Sequence, residues 1–246
     1  MAFRPGKFLF FCGLALLLLS VWKKNVLPAP ETLLPPLLQE PGQAAVQRSP
    51  FRVVVKKVSY DVRPLYRYDL QGMVVSRHDS DTWWDYIHKA WNDHLNVADL
   101  CVVWGNNVRS GAYREIEFSS GQFVCNFQTS SHEAFAAFDL AAISNNHLLT
   151  ADPAIARRIR EVRVGDQVRF SGYLAEYSHN EGLAFKRGTS TVRDDTGNGA
   201  CETVYVEDFE ILRRGGGPWR VLQWIGIGMI VASLIAWFAA PVRAVS

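Results

Sequence analysis

The sequence predicts an α+β protein: a small, mostly antiparallel β-barrel with inserted short helices, flanked by a transmembrane helix at each end. Three observations carry this expectation. Two uncharged apolar runs lie at residues 8–22 and 221–242. Between them, short runs rich in β-branched and aromatic residues are punctuated by glycine, asparagine and aspartate, the pattern of strands and turns. Few segments of that middle stretch carry helix signals, which suits short helices inserted into a β framework.

Composition narrows the function classes. The chain has 246 residues, 48% hydrophobic and 20% charged, which excludes a disordered chain, a collagen-like repeat and a long coiled coil. Four cysteines are too few for a disulfide-built miniature fold. A net charge of +2 leaves no electrostatic footprint for nucleic acid, which is therefore not an expected partner.

The first apolar run follows Arg4 and Lys7 and is fifteen residues long, short for a hydrocarbon core of about 30 Å. A basic start and a compact apolar core also describe a secretory signal. Yet Ser20-Val21-Trp22-Lys23-Lys24 puts bulky and charged groups where cleavage needs small ones. An uncleaved signal anchor over residues 1–24 is expected, with a cleaved signal as the alternative. Residues 25–50 hold six of the eleven prolines, which forbid a regular helix or central strand and predict a semi-extended linker.

A soluble β-rich domain is expected over residues 51–214. Residues 52–62 and 66–76 read as strands, with Gly72 at a bulge or barrel corner. Asp81 can cap a helix carrying Trp84, Ile87 and Trp91 on one face. Residues 100–104 form a short buried strand, and 114–118 with 122–127 a hairpin across Ser119-Ser120-Gly121. Short helices follow at 132–138 and from the Asp152-Pro153 start. Three more strands are expected: 168–174, 185–192 and the closing 202–212, the last preceded by a Thr196-Gly197-Asn198-Gly199 turn.

Residues 215–246 then supply the C-terminal transmembrane helix and a short tail. Its twenty-two-residue run spans a bilayer with modest tilt, and Trp219, Trp224 and Trp237 lie near its ends as interfacial aromatics do. Arg213, Arg214 and Arg220 before this helix, against Arg243 after it, argue for a cytoplasmic domain. The signal-like start and the length of the middle segment argue for export. The expected placement is the bacterial inner membrane, both termini inside and the domain in the periplasm.

Two resemblances add to this reading. Gly165-Asp166-Gln167-Val168-Arg169-Phe170-Ser171-Gly172 is similar to the G-D-x-V-x-x-x-G strand of many OB-fold barrels. The resemblance implies an OB-like barrel in which Gly172 bends a strand shared by both halves. Asp99-Leu100-Cys101-Val102-Val103-Trp104-Gly105, Ser144-Asn145-Asn146-His147-Leu148-Leu149-Thr150 and Thr196-Gly197-Asn198-Gly199-Ala200-Cys201-Glu202 look like stretches of uncharacterised bacterial membrane proteins. That likeness implies no activity.

Candidate sites follow from residue types and spacing. Cys101, Cys125 and Cys201 fall in or beside expected strands, and Cys12 in the first apolar run, with no C-x-x-C motif. In an oxidising compartment Cys101 with Cys125 is the expected disulfide, since both fall on one β unit; buried reduced thiols are the alternative. His78, Asp79, Asp81, Asp85 and His88 are the densest group of metal-ligand types, although Asp81 and Asp85 also suit the first turn of a helix. Asn145, Asn146, His147, Asp194, Asp195 and Asn198 lie in polar clusters that read either as a binding rim or as turn chemistry. A Cys201–His147 nucleophile pair would need an adjacent imidazole and an oxyanion hole, and the spacing indicates neither.

No phosphate loop, nucleophile elbow, zinc-protease or dinucleotide motif occurs. No catalytic residue and no cofactor is therefore expected. The function expected is a membrane-tethered binding or scaffolding module that presents its barrel to a protein or envelope partner. The alternative is a metal-dependent hydrolase built on His78, Asp79, Asp81, Asp85 and His88.

Overall fold

The computed structural model of the chain describes residues 5–192 and 200–239. It shows a mixed α+β architecture dominated by one large sheet, with a long apolar helix at each end. Two units are distinct: Leu27–Arg214, and Met1–Val26 with Gly215–Ser246.

Helix α1 (Pro5–Lys23) opens the chain. The proline-rich stretch after it is not a free tether but packs into the larger unit. Its prolines begin two 3-10 turns, Pro30–Thr32 and Pro35–Leu38, where a missing N–H leaves no bond unmade. The turns place Leu37 in full burial, and the Leu34 N–H donates to Gln167 Oε1 at 2.8 Å. β1 (Gly42–Ala45) then pairs with β3 (Val58–Asp79).

β2 (Phe51–Val55) forms a hairpin with β3. Lys56 and Lys57 turn it with φ of 47° and 73°, the geometry that matches strand twist in a two-residue loop. The expected strand 52–62 is thus two strands. Conversely β3 runs on through Pro64, because its register slips between Pro64 and Tyr66 and a bulge tolerates the missing donor.

Of the helix expected from Asp81, only α2 (Ile87–Ala90) forms. Trp83 and Tyr86 stay exposed while Asp85 and His88 are buried, so polar burial overrides the apolar spacing. β4 (Asn96–Val103), α3 (Gly105–Ser110), β5 (Glu117–Gly121) and β6 (Val124–Gln128) follow. The β5–β6 hairpin turns at Gln122 and Phe123, later than expected. α4 (His132–Ala137) is capped by Ser131 Oγ, which accepts from the Ala134 N–H at 3.1 Å.

β7 (Ile143–Leu149) occupies a stretch expected to be a polar turn. α5 (Pro153–Glu161) starts on the Asp152 cap, and β8 (Gln167–His179), β9 (Phe185–Arg187), β10 (Glu202–Arg213) and α6 (Trp219–Ala239) complete the chain. β9 is shorter than the expected 185–192. The expected turn at 196–199 lies outside the described residues.

β3 pairs with β4, β4 with β7, β7 with β10 in parallel, β10 with β8, and β8 again with β3. The chain of pairings returns to the strand where it began. Alternate residues of β4 therefore serve two faces. Ala98, Leu100 and Val102 join a cluster with Leu70, Phe170 and Phe209. Cys101 and Val103 pack in a second cluster around Leu37 and Tyr113.

In the smaller unit, Gly6–Lys23 and Trp219–Ala239 have mean hydropathies of 1.6 and 2.0 and are long enough to cross a membrane. Small residues set their packing: a Cβ on Gly13 would lie 2.9 Å from Gly226 O, and one on Gly226 would lie 2.9 Å from Gly13 O. Ser233 Oγ also donates to Gly6 O at 2.6 Å. Gly226→Leu should accordingly lower the temperature at which the full chain in detergent loses helical circular dichroism. Gly228→Leu, with nothing within 4 Å of the added Cβ, should leave it unchanged. Equal effects of the two variants would refute this packing.

Candidate functional site

The register of the large sheet lines up His78 of β3, Asp99 of β4, His147 of β7 and Thr203 of β10 as successive neighbours. Two residues along, on the same face, stand Ser76, Cys101 and Asn145. A disulfide joins Cys101 to Cys125 with Cα atoms 5.9 Å apart, which fixes the β5–β6 hairpin against these rows.

Asp99 is fully buried and satisfied from three directions. Its Oδ1 accepts from His147 Nδ1 at 2.6 Å and Asn96 Nδ2 at 2.9 Å, and its Oδ2 from the Phe123 N–H at 3.0 Å. The other imidazole nitrogen, His147 Nε2, lies 2.6 Å from Arg187 Nη2. A guanidinium can only donate, so this network assigns the His147 proton to Nδ1 and leaves the ring neutral. Burial pushes the His147 value down, against the pull of Asp99. Burial alone would raise Asp99, but His147 and Asn96 outweigh it and hold the carboxyl below its ordinary range.

Phe123 closes the row. Its φ of 66° is left-handed, a conformation a bulky residue adopts only when its surroundings over-determine it. Its ring lies 4.2 Å from that of His88 and 5.6 Å from that of His147, and the Arg187 guanidinium sits 4.1 Å above it. Its carbonyl accepts from Asn145 Nδ2 at 3.2 Å. The hairpin tip is thus a plug held by backbone as well as ring.

A second cluster adjoins the first. Asp85 Oδ2 lies 2.7 Å from His78 Nε2 and 2.6 Å from His88 Nδ1, and Asp85 Oδ1 accepts from the His88 N–H at 3.0 Å. Asn96 Nδ2 reaches both His88 Nε2 at 3.0 Å and Asp99, linking the two clusters. Asp93 Oδ2 is 4.0 Å from His88 Nε2 and accepts from Tyr177 Oη at 2.6 Å. Burial pushes both the Asp93 carboxyl and the Tyr177 phenol up. Beside this cluster lies a polar cavity of about 200 Å³ lined by His88, Asp93 and Asn96, with Lys56, Lys89 and Arg160 at its rim.

Of the five metal-type residues singled out from sequence, the structure gathers His78, Asp85 and His88. Asp79 instead pairs with Arg77, and the exposed Asp81 with Lys56 at 3.3 Å. Asn145, Asn146 and His147, expected at a loop rim, are interior residues of β7. Their donors are taken up by neighbours, as where Asn146 Nδ2 donates to Ser144 Oγ at 2.8 Å, while Asn145 Oδ1 and Asn146 Oδ1 are buried with no hydrogen-bond partner. Asp194, Asp195 and Asn198 lie outside the described residues.

The same geometry disposes of a Cys201–His147 nucleophile. Both His147 nitrogens are engaged elsewhere, while Cys201 Sγ faces Phe123 O and Asn145 Nδ2 at 3.7 and 3.6 Å. Burial pushes the thiol up, away from the reactive thiolate. In a Cys12→Ala background, Cys201 should resist alkylation at pH 7 while folded and react fully on denaturation. Rapid labelling of the folded chain would contradict this.

Asp93, Asn96, Asp99, Phe123 and Arg187 are site residues that sequence reasoning missed. One signal was available: Asp99 is an acid inside the apolar run Val97-Ala98-Asp99-Leu100-Cys101-Val102-Val103. A charge in a fully buried strand demands a partner. Comparison of the chain with protein-family models, curated proteins and solved structures finds no match in any of the three.

Proposed function

We infer that this protein is a membrane-tethered binding module, and that its β domain presents an OB-like barrel to a protein or envelope partner. Five strands paired in a ring, with one parallel pair and a helix between the third and fourth, support the OB-like reading. OB-folds take ligands on their second and third strands and the connections beside them. Here those strands are β4 and β7, which carry Asp99, Cys101, Asn145 and His147.

One observation carries the binding role. The β3–β4 connection that supplies Asp85 and His88 also holds Trp83 90% exposed and Tyr86 72% exposed. Large aromatic rings left in water beside a rigid polar site suit a contact surface. In this reading both apolar helices cross the inner membrane and the domain lies in the periplasm, where the Cys101–Cys125 bridge would persist.

A photo-crosslinker replacing Trp83 in the full chain in its native membrane tests this. A discrete adduct should form there and not at Val54, an exposed residue of β2. Identical patterns at both positions would overturn the assignment. Reporter fusions after Gly217 and after Ser246 test the topology: periplasmic activity at the first and cytoplasmic at the second is expected, and cytoplasmic activity at both would refute it.

A further inference from the structure

We propose that His78, Asp85 and His88 form a binding site for one divalent transition-metal ion, of the class zinc represents. The three ligand atoms come from the end of β3, from the connection after it and from α2, and all lie within 4.8 Å of one another. Two imidazole nitrogens and a carboxylate oxygen are the donor set that first-row divalent ions favour, with a further position left for an exogenous ligand. Three ligands at bonds of about 2.1 Å sit roughly 3.4 Å apart. The present 2.6–2.7 Å contacts therefore need to open by under 1 Å.

Charge points the same way. Asp85 is fully buried, and among the described residues its ion-pair partners are the two histidines, with no lysine or arginine. A buried carboxylate is stable only when paired or metal-bound, and the donors around it here are imidazoles and one backbone N–H. A divalent ion supplies the missing positive charge, and the imidazole protons now directed at Oδ2 would move to His88 Nε2 and to His78 Nδ1, a buried atom with no hydrogen-bond partner.

The surroundings fit a bound ion. His88 ligating through Nδ1 would carry its proton on Nε2, which needs an acceptor behind the ring. Asn96 Oδ1 is a buried oxygen with no hydrogen-bond partner, on the amide whose nitrogen already faces Nε2 at 3.0 Å. That nitrogen is committed to Asp99 Oδ1, so the acceptor open to the His88 proton is Asp93 Oδ2, 4.0 Å from Nε2. Trp84 packs 4.8 Å from the His78 ring and Phe123 packs 4.2 Å from the His88 ring, so both ligand rings are walled in. The site goes beyond the binding role inferred above and stands without it.

The test is calorimetric titration of zinc chloride into the untagged full chain in detergent, after chelator treatment. One ion per chain is expected, with a rise in melting temperature. Asp85→Asn and His88→Gln should each weaken binding by more than about 100-fold, beyond the 10–100-fold typical of an outer-shell change. Asp79→Asn and Asp81→Asn should bind as the parent does. An intact Cys101–Cys125 bridge and a parental circular dichroism spectrum establish that each variant is folded. If either ligand variant fails to fold, X-ray absorption of the zinc-loaded parent decides: two imidazoles and oxygen ligands support the site, and any other shell overturns it. A folded parent that binds no zinc, or folded ligand variants that bind like the parent, also overturn it.

Discussion

Gly172→Val is expected to prevent the β domain from folding. A Cβ at this position would lie 1.9 Å from Tyr205 O and 3.1 Å from Val206 Cα, and both are backbone of the neighbouring strand. A side-chain clash can relax by rotation, but this one can be relieved only by parting β8 from β10. Overpacking ordinarily costs about 1–3 kcal/mol, and a backbone collision of this depth belongs beyond that range. Gly188→Val, where nothing lies within 4 Å, should stay within about 0.5 kcal/mol of the parent. Urea unfolding of the full chain in detergent measures both. A Gly172→Val domain as stable as the parent would show that β8 and β10 do not approach this closely.

Removing the Asp99 carboxylate is the second large effect. Asp99→Ala leaves His147 Nδ1, Asn96 Nδ2 and the Phe123 N–H as donors that have lost a buried acceptor. Breaking a buried charged network from one side typically costs about 3–5 kcal/mol. The pH dependence carries a sign for each group. Asp99 has its value lowered in the fold, so its contribution is complete above the ordinary 3.8 and is lost as pH falls through the folded value. His147 is lowered from 6.5, so below that pH the unfolded chain takes up a proton the fold refuses, and stability declines. Asp93, raised from 3.8, acts oppositely between 3.8 and its folded value. The urea midpoint should therefore start to fall below about pH 6.5 and fall again in the carboxylate range, where Asp61 and Glu207 are lowered as well, and Asp99→Ala should make that second stage smaller. A variant with an unchanged acid limb would remove Asp99 from this account.

The legible parts of this chain are those whose signal is local. Asp152-Pro153 specifies a helix start by cap chemistry alone, and the two terminal apolar runs specify long helices by length. Elements fixed by distant partners were not legible. Ser144-Asn145-Asn146-His147 has turn chemistry, yet it becomes the interior of β7, where Asp99 and Leu100 O of β4 and Phe123 O of the hairpin tip accept from its side chains. In the same way the aromatic spacing of Trp84, Ile87 and Trp91 suggested a helix face. The demand of buried Asp85 and His88 for each other decided the local structure instead. Half of the candidate site is visible as residue types near His78, and the other half arrives only through the β4–β7 register.

The ring of pairings also fixes an order of events during synthesis. β10 lies between β7 and β8, and it is the last of the ring strands in the chain. Until about residue 213 emerges from the ribosome, β7 and β8 each present an open edge of unpaired backbone groups, the surface on which strands of other chains template. Its parallel partner β7 precedes β10 by more than fifty residues, a separation that slows closure towards the millisecond-to-second regime of non-local β pairing. The vulnerable interval in the life of this protein is therefore its birth. Aggregation during translation, and not instability of the finished domain, is where impaired variants of β10 should first reveal themselves.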